Sequence, residues 1–201
     1  SEEKGRNLNR TPLDFTMKIA ILGDTHFGCR NESPIFLENA KNFFSNQFFP
    51  YVREREIGAI IHLGDVFDKR KFLQFQVLEK ARNFFLNPLA DIARRGIPVH
   101  ILLGNHDLFY NDRLDASGLV SIFEYYPEVA IHTEPKTVKF DSMLVDFLPW
   151  TFSFNRKKTD EFLAAKRKVD VAVSHLEIEG FFNNDGCKSK TGLTTAQIEH
   201  Y

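Results

Sequence analysis

Three short apolar runs set the rhythm of the first half of the chain. Residues 17–22 (MKIAIL), 59–63 (AIIHL) and 98–103 (PVHILL) are runs of five or six mainly apolar residues, and each leads into Gly-Asp or Gly-Asn. Apolar runs of this length bounded by turn residues read as strands buried on both faces. Between them lie helical stretches. Ser33-Pro34 starts one, with Ser as N-cap and Pro in the first turn, and it is expected to run to about Glu56 with Pro50 as a possible kink. A second covers about Phe72 to Arg95, interrupted near Pro88 and stopped by Gly96. Strand, helix, strand, helix, strand predicts a parallel sheet with right-handed crossovers.

The middle of the chain changes period. A short helix is expected over Leu114–Tyr125. Short strands follow at Val129–His132, Thr137–Phe140 and Met143–Leu148, spaced as in antiparallel hairpins. Arg156–Lys168 reads as helix and Val169–Ser174 as another buried strand that runs into His175. Residues 1–16 are polar and lack an apolar core. They read as a disordered extension or non-native leader, so the domain is expected to be residues 17–201.

Bulk properties narrow the class. At 201 residues and 43% hydrophobic, the chain can bury about 70% of its unfolded surface in one core, to which 21 phenylalanines contribute. The net charge of -1 excludes a generally basic nucleic-acid binder. Contact with a polyanion would have to come from a local patch or bound metal. The runs Lys69-Arg70-Lys71, Arg156-Lys157-Lys158 and Lys166-Arg167-Lys168 read first as solvated faces. Two cysteines, Cys29 and Cys187, make no disulfide framework and fit a reducing cytoplasm. No apolar run reaches the roughly 20 residues needed to span a bilayer.

The chemistry sits at the strand ends. The first strand runs into Asp24 and His26, the second into Asp65 and Asp68, the third into Asn105, His106 and Asp107, and the last into His175. Ligands of open α/β sheets bind outside the carboxyl ends of the strands, so these pieces should converge on one edge. Carboxylate, imidazole and amide oxygen without thiolate favour Mn, Fe or Zn. Asp65, ending the central strand, is best placed to bridge two cations. His62, His100, His132 and Trp150 read as packing residues, Cys29 as a small buried one and His200 as a surface residue.

In this order, Asp24-x-His26, Gly64-Asp65-x-x-Asp68, Gly104-Asn105-His106-Asp107 and His175 resemble the calcineurin-like metallophosphoesterase superfamily. Residues 24–28 (DTHFG) and 64–68 (GDVFD) are most similar to its DNA-repair nuclease branch, SbcD-like nucleases and the recombination endonuclease subunits of large tailed phages. The resemblance implies a two-sheet α/β/β/α sandwich. It implies two divalent metal ions, expected to be Mn(2+). Asp24 and His26 would hold the first, Asp65 would bridge, and Asn105 and His175 would hold the second. His106 would act as general acid or stabilise the leaving oxygen, with Asp107 orienting its ring.

A DNA endo/exonuclease subunit is the activity implied, with DNA and an SbcC-type coiled-coil ATPase as partners and a homodimer as the assembly. Other phosphoesterases of the fold, a cyclic-nucleotide phosphodiesterase or a phosphatase, and a metal-depleted scaffold are the alternatives. The protein-phosphatase pattern Gly-Asp-x-x-Asp-Arg-Gly is broken here, because Lys69-Arg70-Lys71 follows Asp68. The superfamily's Gly-His-x-His motif does not occur in the chain, and the expectation is a core truncated at its C-terminus, with the motif beyond Tyr201.

Overall fold

The computed structural model describes residues 17–110, 113–114, 117–182 and 186–201. The expectation for residues 1–16 lies outside them. A four-stranded parallel sheet comes first, in the order β1 (Ile19–Leu22), β2 (Ala59–His62), β3 (Val99–Leu102), β4 (Val129–His132). A three-stranded sheet follows, β5 (Lys136–Phe140), β6 (Met143–Leu148), β7 (Val171–Ser174), with β5 antiparallel and β7 parallel to β6.

β4 corrects the expected pattern, which had grouped it with the hairpin strands. A helix over Gly118–Phe123 carries the chain across the sheet, so β4 joins β3 in parallel. Antiparallel pairing begins only at β5, where β5 and β6 are joined by the tight turn at Asp141.

Both long helices run as expected but are not uniform α-helix. Pro34–Phe43 and Phe49–Glu54 are joined by a π-turn at Phe44–Phe48, and Phe75–Ala81 and Asn87–Arg94 by one at Arg82–Leu86. Each π-turn ends just before a proline, Pro50 or Pro88. Proline has no N–H to donate to the turn before it, and widening that turn accommodates the loss without ending the helix.

Alternation along the strands sorts the side chains into layers. Ile60, Val99, Ile101 and Val129 face the helices and pack with Phe44, Phe48, Phe84, Phe85 and Leu89. Ala59, Ile61 and Leu102 face the second sheet and meet Phe140, Val145, Phe147 and Val173. On the far side of that sheet, Leu148 packs with Leu163 of the Arg156–Ala164 helix and with Leu193. The layers are therefore helix, sheet, sheet, helix, as expected. Asp146 on the outer face is fully buried, accepting from Thr137 Oγ1 at 2.6 Å and Tyr201 Oη at 2.7 Å.

Two histidines lie in the seam between the sheets. His100 Nδ1 and His132 Nε2 are 2.8 Å apart, and His132 stacks on Phe147. Burial pushes both imidazoles down, to about 4, and Lys136 adds to it. Above pH 6.5 the pair is neutral in folded and unfolded chain alike and contributes no pH dependence. As pH falls from 6.5 to about 4, the unfolded chain takes up protons that the folded one refuses. Stability should therefore drop by up to about 1.4 kcal/mol per pH unit for each histidine. His62 adds to this loss and Asp107 opposes it, so urea unfolding across pH 4–8 should show wild type losing more stability toward acid than a His100→Gln/His132→Gln double variant, the difference between the two curves being the pair's contribution.

Candidate metal centre

The strand-end loops meet at the carboxyl edge of the first sheet, and backbone hydrogen bonds stitch them together. The His26 amide donates to the Asp65 carbonyl at 3.0 Å, Phe27 to Val66 at 2.9 Å, and Asp68 back to Phe27 at 3.1 Å. Phe27 and Phe67 drop from this seam into the helix-side core, where Phe27 packs edge-on against Phe44, Phe84 and Phe85. The phenylalanines of the two motifs are thus anchors that bolt the polar loops to the core. His62 sits beneath, fully buried. Its Nδ1 accepts from the Gly64 amide at 3.1 Å, which places the ring proton on Nε2, 3.2 Å from Thr25 Oγ1. Thr25 passes the chain on to the Val66 carbonyl at 3.1 Å. Burial pushes His62 down to about 3, which keeps it neutral.

Asp107 fixes the second and third loops. Its Oδ2 accepts from the amides of Gly104 (2.8 Å) and Asp65 (3.0 Å), and its Oδ1 from Val66 (3.2 Å). Burial pushes its carboxyl up to about 7, against those three amides, which favour the ionised form. This corrects the expected role. The Asp107 carboxylate is taken up by backbone, and the His106 ring is held instead through Nδ1 by the carbonyl oxygen of Asp68. The second aspartate of Gly64-Asp65-x-x-Asp68 carried no expected role, yet its carbonyl meets His106 and its carboxylate lies 3.3 Å from His26 Nδ1. The spacing alone could not say that its main chain would reach His106.

The turn brings Asp65 into a left-handed backbone conformation, φ 52°, after Gly64 at 106°. Such a φ costs a non-glycine residue about 1–3 kcal/mol and must be held by its surroundings. Close approach of the loops requires glycine opposite. A Cβ on Gly104 would lie 2.2 Å from Asp65 Oδ1 and 2.3 Å from its amide nitrogen.

Ligand atoms converge on the Asp65 carboxylate. Oδ1 accepts from the His106 amide at 2.7 Å. Oδ2 lies 3.4 Å from His26 Nε2 and 3.6 Å from His175 Nε2. Asp24, His26 and Asp65 bring ligand atoms within 4.8 Å of one another, and so do His26, Asp68 and His106. Asn105 Oδ1 is 2.9 Å from His175 Nε2. His175 Nδ1 is 2.8 Å from the Leu63 carbonyl, so its proton is there and Nε2 presents a lone pair. A carboxylate oxygen, the Asn105 amide and an imidazole nitrogen therefore face one another, and with the amide oxygen turned inward they make a set of acceptors that fits a divalent cation at its centre. His26 Nδ1 is buried without a hydrogen bond, 3.3 Å from Asp68 Oδ1, so a carboxylate backs a ligand-ready imidazole. All five residues expected as ligands, Asp24, His26, Asp65, Asn105 and His175, reach this place.

The calcineurin-like phosphoesterase profile matches residues 17–197. The chain belongs to that family. It is 31% identical over 173 residues to exonuclease subunit 1 of Enterobacteria phage T4, covering 86% of this chain and 49% of that protein. A UDP-2,3-diacylglucosamine hydrolase of Porphyromonas gingivalis is 29% identical over 98 residues, 48% of this chain and 35% of the hydrolase. The chain thus spans about half the length of the phage relative and about a third of the hydrolase. Among solved structures, the Plasmodium inner-membrane-complex anchor GAP50 aligns at a TM-score of 0.46 and 14% identity, covering 85% and 58% of the two chains.

Other histidines and cations of this phosphoesterase domain fall into place around the centre. His106 stands edge-on to His26, ring centroids 4.8 Å apart. Trp150 stands edge-on to His175 at 6.1 Å, packed at the rim of the site. Cys29 is half-buried beside His26 in a neighbouring cavity. His200, expected at the surface, is half-buried with both ring nitrogens out of solvent and without a partner. Arg156, Lys157 and Lys158 are neutralised by Asp160, Glu161 and Glu134, as a solvated face would be. Lys69, which pairs with Glu32, and its neighbours Arg70 and Lys71 line a cleft of ≈ 380 Å³ together with Phe72, His106 and Phe109. No helix among the described residues is long and apolar enough to cross a membrane.

Removing the Asp107 carboxylate should loosen this centre from below. Asp107→Ala strands three backbone amides, and each buried unmade bond costs about 1–3 kcal/mol. A loss of at least about 2 kcal/mol in chemical denaturation is expected, with weakened Mn(2+) affinity in calorimetry. Asp107→Asn, which keeps one acceptor oxygen, should lose less of both.

Proposed function

We propose that the protein is a metal-dependent DNA endo/exonuclease subunit of a recombination or repair complex. The observation that carries this is the acceptor cluster around Asp65 Oδ2, with His106 held next to it by the Asp68 carbonyl. Support for DNA as substrate comes from the similarity to a phage exonuclease subunit. Asp24, His26 and Asp65 would hold one cation, and Asp65, Asn105 and His175 a second. Mn(2+) suits this mix of carboxylate, imidazole and amide oxygen. Bound cations would supply Lewis-acid polarisation of the phosphoryl group and a lowered pKa for water.

The chain's own residues do the rest. Asp65 would contribute its carboxylate to both sites, and its backbone is clamped by Asp107. His106, whose Nδ1–H donates to the Asp68 carbonyl, would give a proton to the leaving oxygen from Nε2 in its doubly protonated form, a role worth about 10²–10⁴-fold. Asp107 acts on His106 only through the loop it fixes. A homodimer working with an SbcC-type coiled-coil ATPase in the cytoplasm, the host cytoplasm for a phage protein, is part of the same reading.

The full-length protein should cleave DNA with Mn(2+) and turn over simple phosphate monoesters poorly. Efficient monoester hydrolysis without DNA cleavage would place it with the phosphatases instead. His106→Ala should lower DNA cleavage by about 10²-fold or more while Mn(2+) still binds by calorimetry. Loss of metal in that variant would make His106 a ligand.

A further inference from the structure

If Asn105 is a ligand through its amide oxygen, its amide nitrogen must also be accounted for. The amide can sit in two orientations related by a half-turn. In the first, Oδ1 is 2.9 Å from His175 Nε2, whose lone pair is exposed because Nδ1 serves Leu63. Oxygen then faces acceptors, and the NH₂ group faces the Arg70 guanidinium. In the second, the nitrogen donates to His175 Nε2 at 2.9 Å and to Asp65 Oδ2 at 3.2 Å, and the oxygen accepts from Arg70 Nη2 at 2.8 Å. Only the first offers oxygen to a cation shared with Asp65 and His175. Only the second satisfies Arg70 at Asn105. The two are mutually exclusive.

We infer that Arg70 and the cation compete for the Asn105 amide oxygen, so that metal loading turns the amide over and presents Arg70 and the Asn105 NH₂ together to a phosphate oxygen of the substrate. With the oxygen on the cation, two donor groups are left in contact, a repulsive pairing that an anionic oxygen between them relieves. A guanidinium is the side chain best shaped for this, since its planar fork grips phosphate through paired N–H groups. Arg70 lies on the wall of the cleft that also holds His106, on the side where a phosphodiester would enter. Lys69 and Lys71 line the same cleft, but Lys69 is committed to Glu32, and it is Arg70 whose Nη2 lies 2.8 Å from the Asn105 amide.

Metal and phosphate then help one another. Each favours the same amide orientation, and by linkage each must tighten the other to the same degree. Arg70 is a substrate-binding residue in this scheme, and its hydrogen bond to Asn105 opposes premature metal loading. The inference rests on the reading of Asn105 as a ligand given above.

The test uses the full-length protein with two neutral variants, Arg70→Met and Arg70→Gln. Met removes the donor, whereas Gln removes the charge and keeps an N–H for the Asn105 oxygen. MnCl₂ alone is titrated first by calorimetry, then inorganic phosphate with and without saturating Mn(2+). Arg70→Met should bind Mn(2+) about tenfold more tightly than wild type, the worth of one hydrogen bond from a charged donor. Arg70→Gln should tighten less. Phosphate affinity of the Mn-loaded protein should fall at least tenfold in Arg70→Met, and the mutual tightening of the two ligands should shrink. Equal tightening in both variants would reduce the effect to charge repulsion and overturn the amide competition, as would no tightening in either. Unchanged phosphate affinity in Arg70→Met would overturn the substrate role. A wild-type protein that binds no Mn(2+) would instead remove the ligand reading itself.

Discussion

The centre depends on one knot of main chain, the turn Gly64–Val66 wrapped around the Asp107 carboxylate. Three amides point at that carboxylate, and in doing so they hold Asp65 in a left-handed conformation that it would not adopt by itself. The conformation is what aims the Asp65 side chain at His26 and His175 rather than along the sheet. Strain in the turn and burial of the Asp107 carboxylate are two costs met at the same place. They are tolerable because the loops on both sides are anchored in the core.

That anchoring links packing to chemistry. Phe27 and Phe67 belong to the metal loops by sequence but to the hydrophobic core by position. The helices that receive them widen into π-turns where Phe44, Phe48, Phe84 and Phe85 gather. Core and site are therefore one mechanical unit. A side chain lost from the aromatic layer would be felt at His26, whose backbone is hydrogen-bonded across to Asp65.

Electrostatically, the site is a concentration of acceptors. Carboxylates of Asp24, Asp65 and Asp68 lie against the imidazoles of His26, His106 and His175. The buried His62 below stays uncharged because protonation there would cost too much solvation. Such a cluster has a deficit of positive charge, which a divalent cation supplies and which Arg70 at the edge partly offsets. The chain's near-neutral net charge is consistent with this: attraction for phosphate is confined to the site and its rim rather than spread over the surface.

The first sheet, and the edge on which most of the candidate site lies, were legible in the chain alone. Aliphatic runs that end in Gly-Asp and Gly-Asn specify buried parallel strands, and a parallel sheet collects its strand ends on one edge, so Asp24, His26, Asp65 and Asn105 had to meet there. His175 arrives from β7 of the second sheet, and only the packing of the two sheets brings it to the Leu63 carbonyl at that edge. Local periodicity could not place β4. Its apolar residues suit a hairpin as well as a parallel edge, and only the packing of the Gly118–Phe123 helix against it decides. Nor could spacing assign the partners of the motif residues. Asp107 was expected behind His106 and lies under Asp65, while the Asp68 carbonyl takes its place. Arg70 stood in a basic run and is turned to Asn105. In each case the deciding interaction joins residues about forty positions apart, or a side chain to a backbone group. Such contacts follow from how the loops fold over one another and leave no periodic trace in the chain.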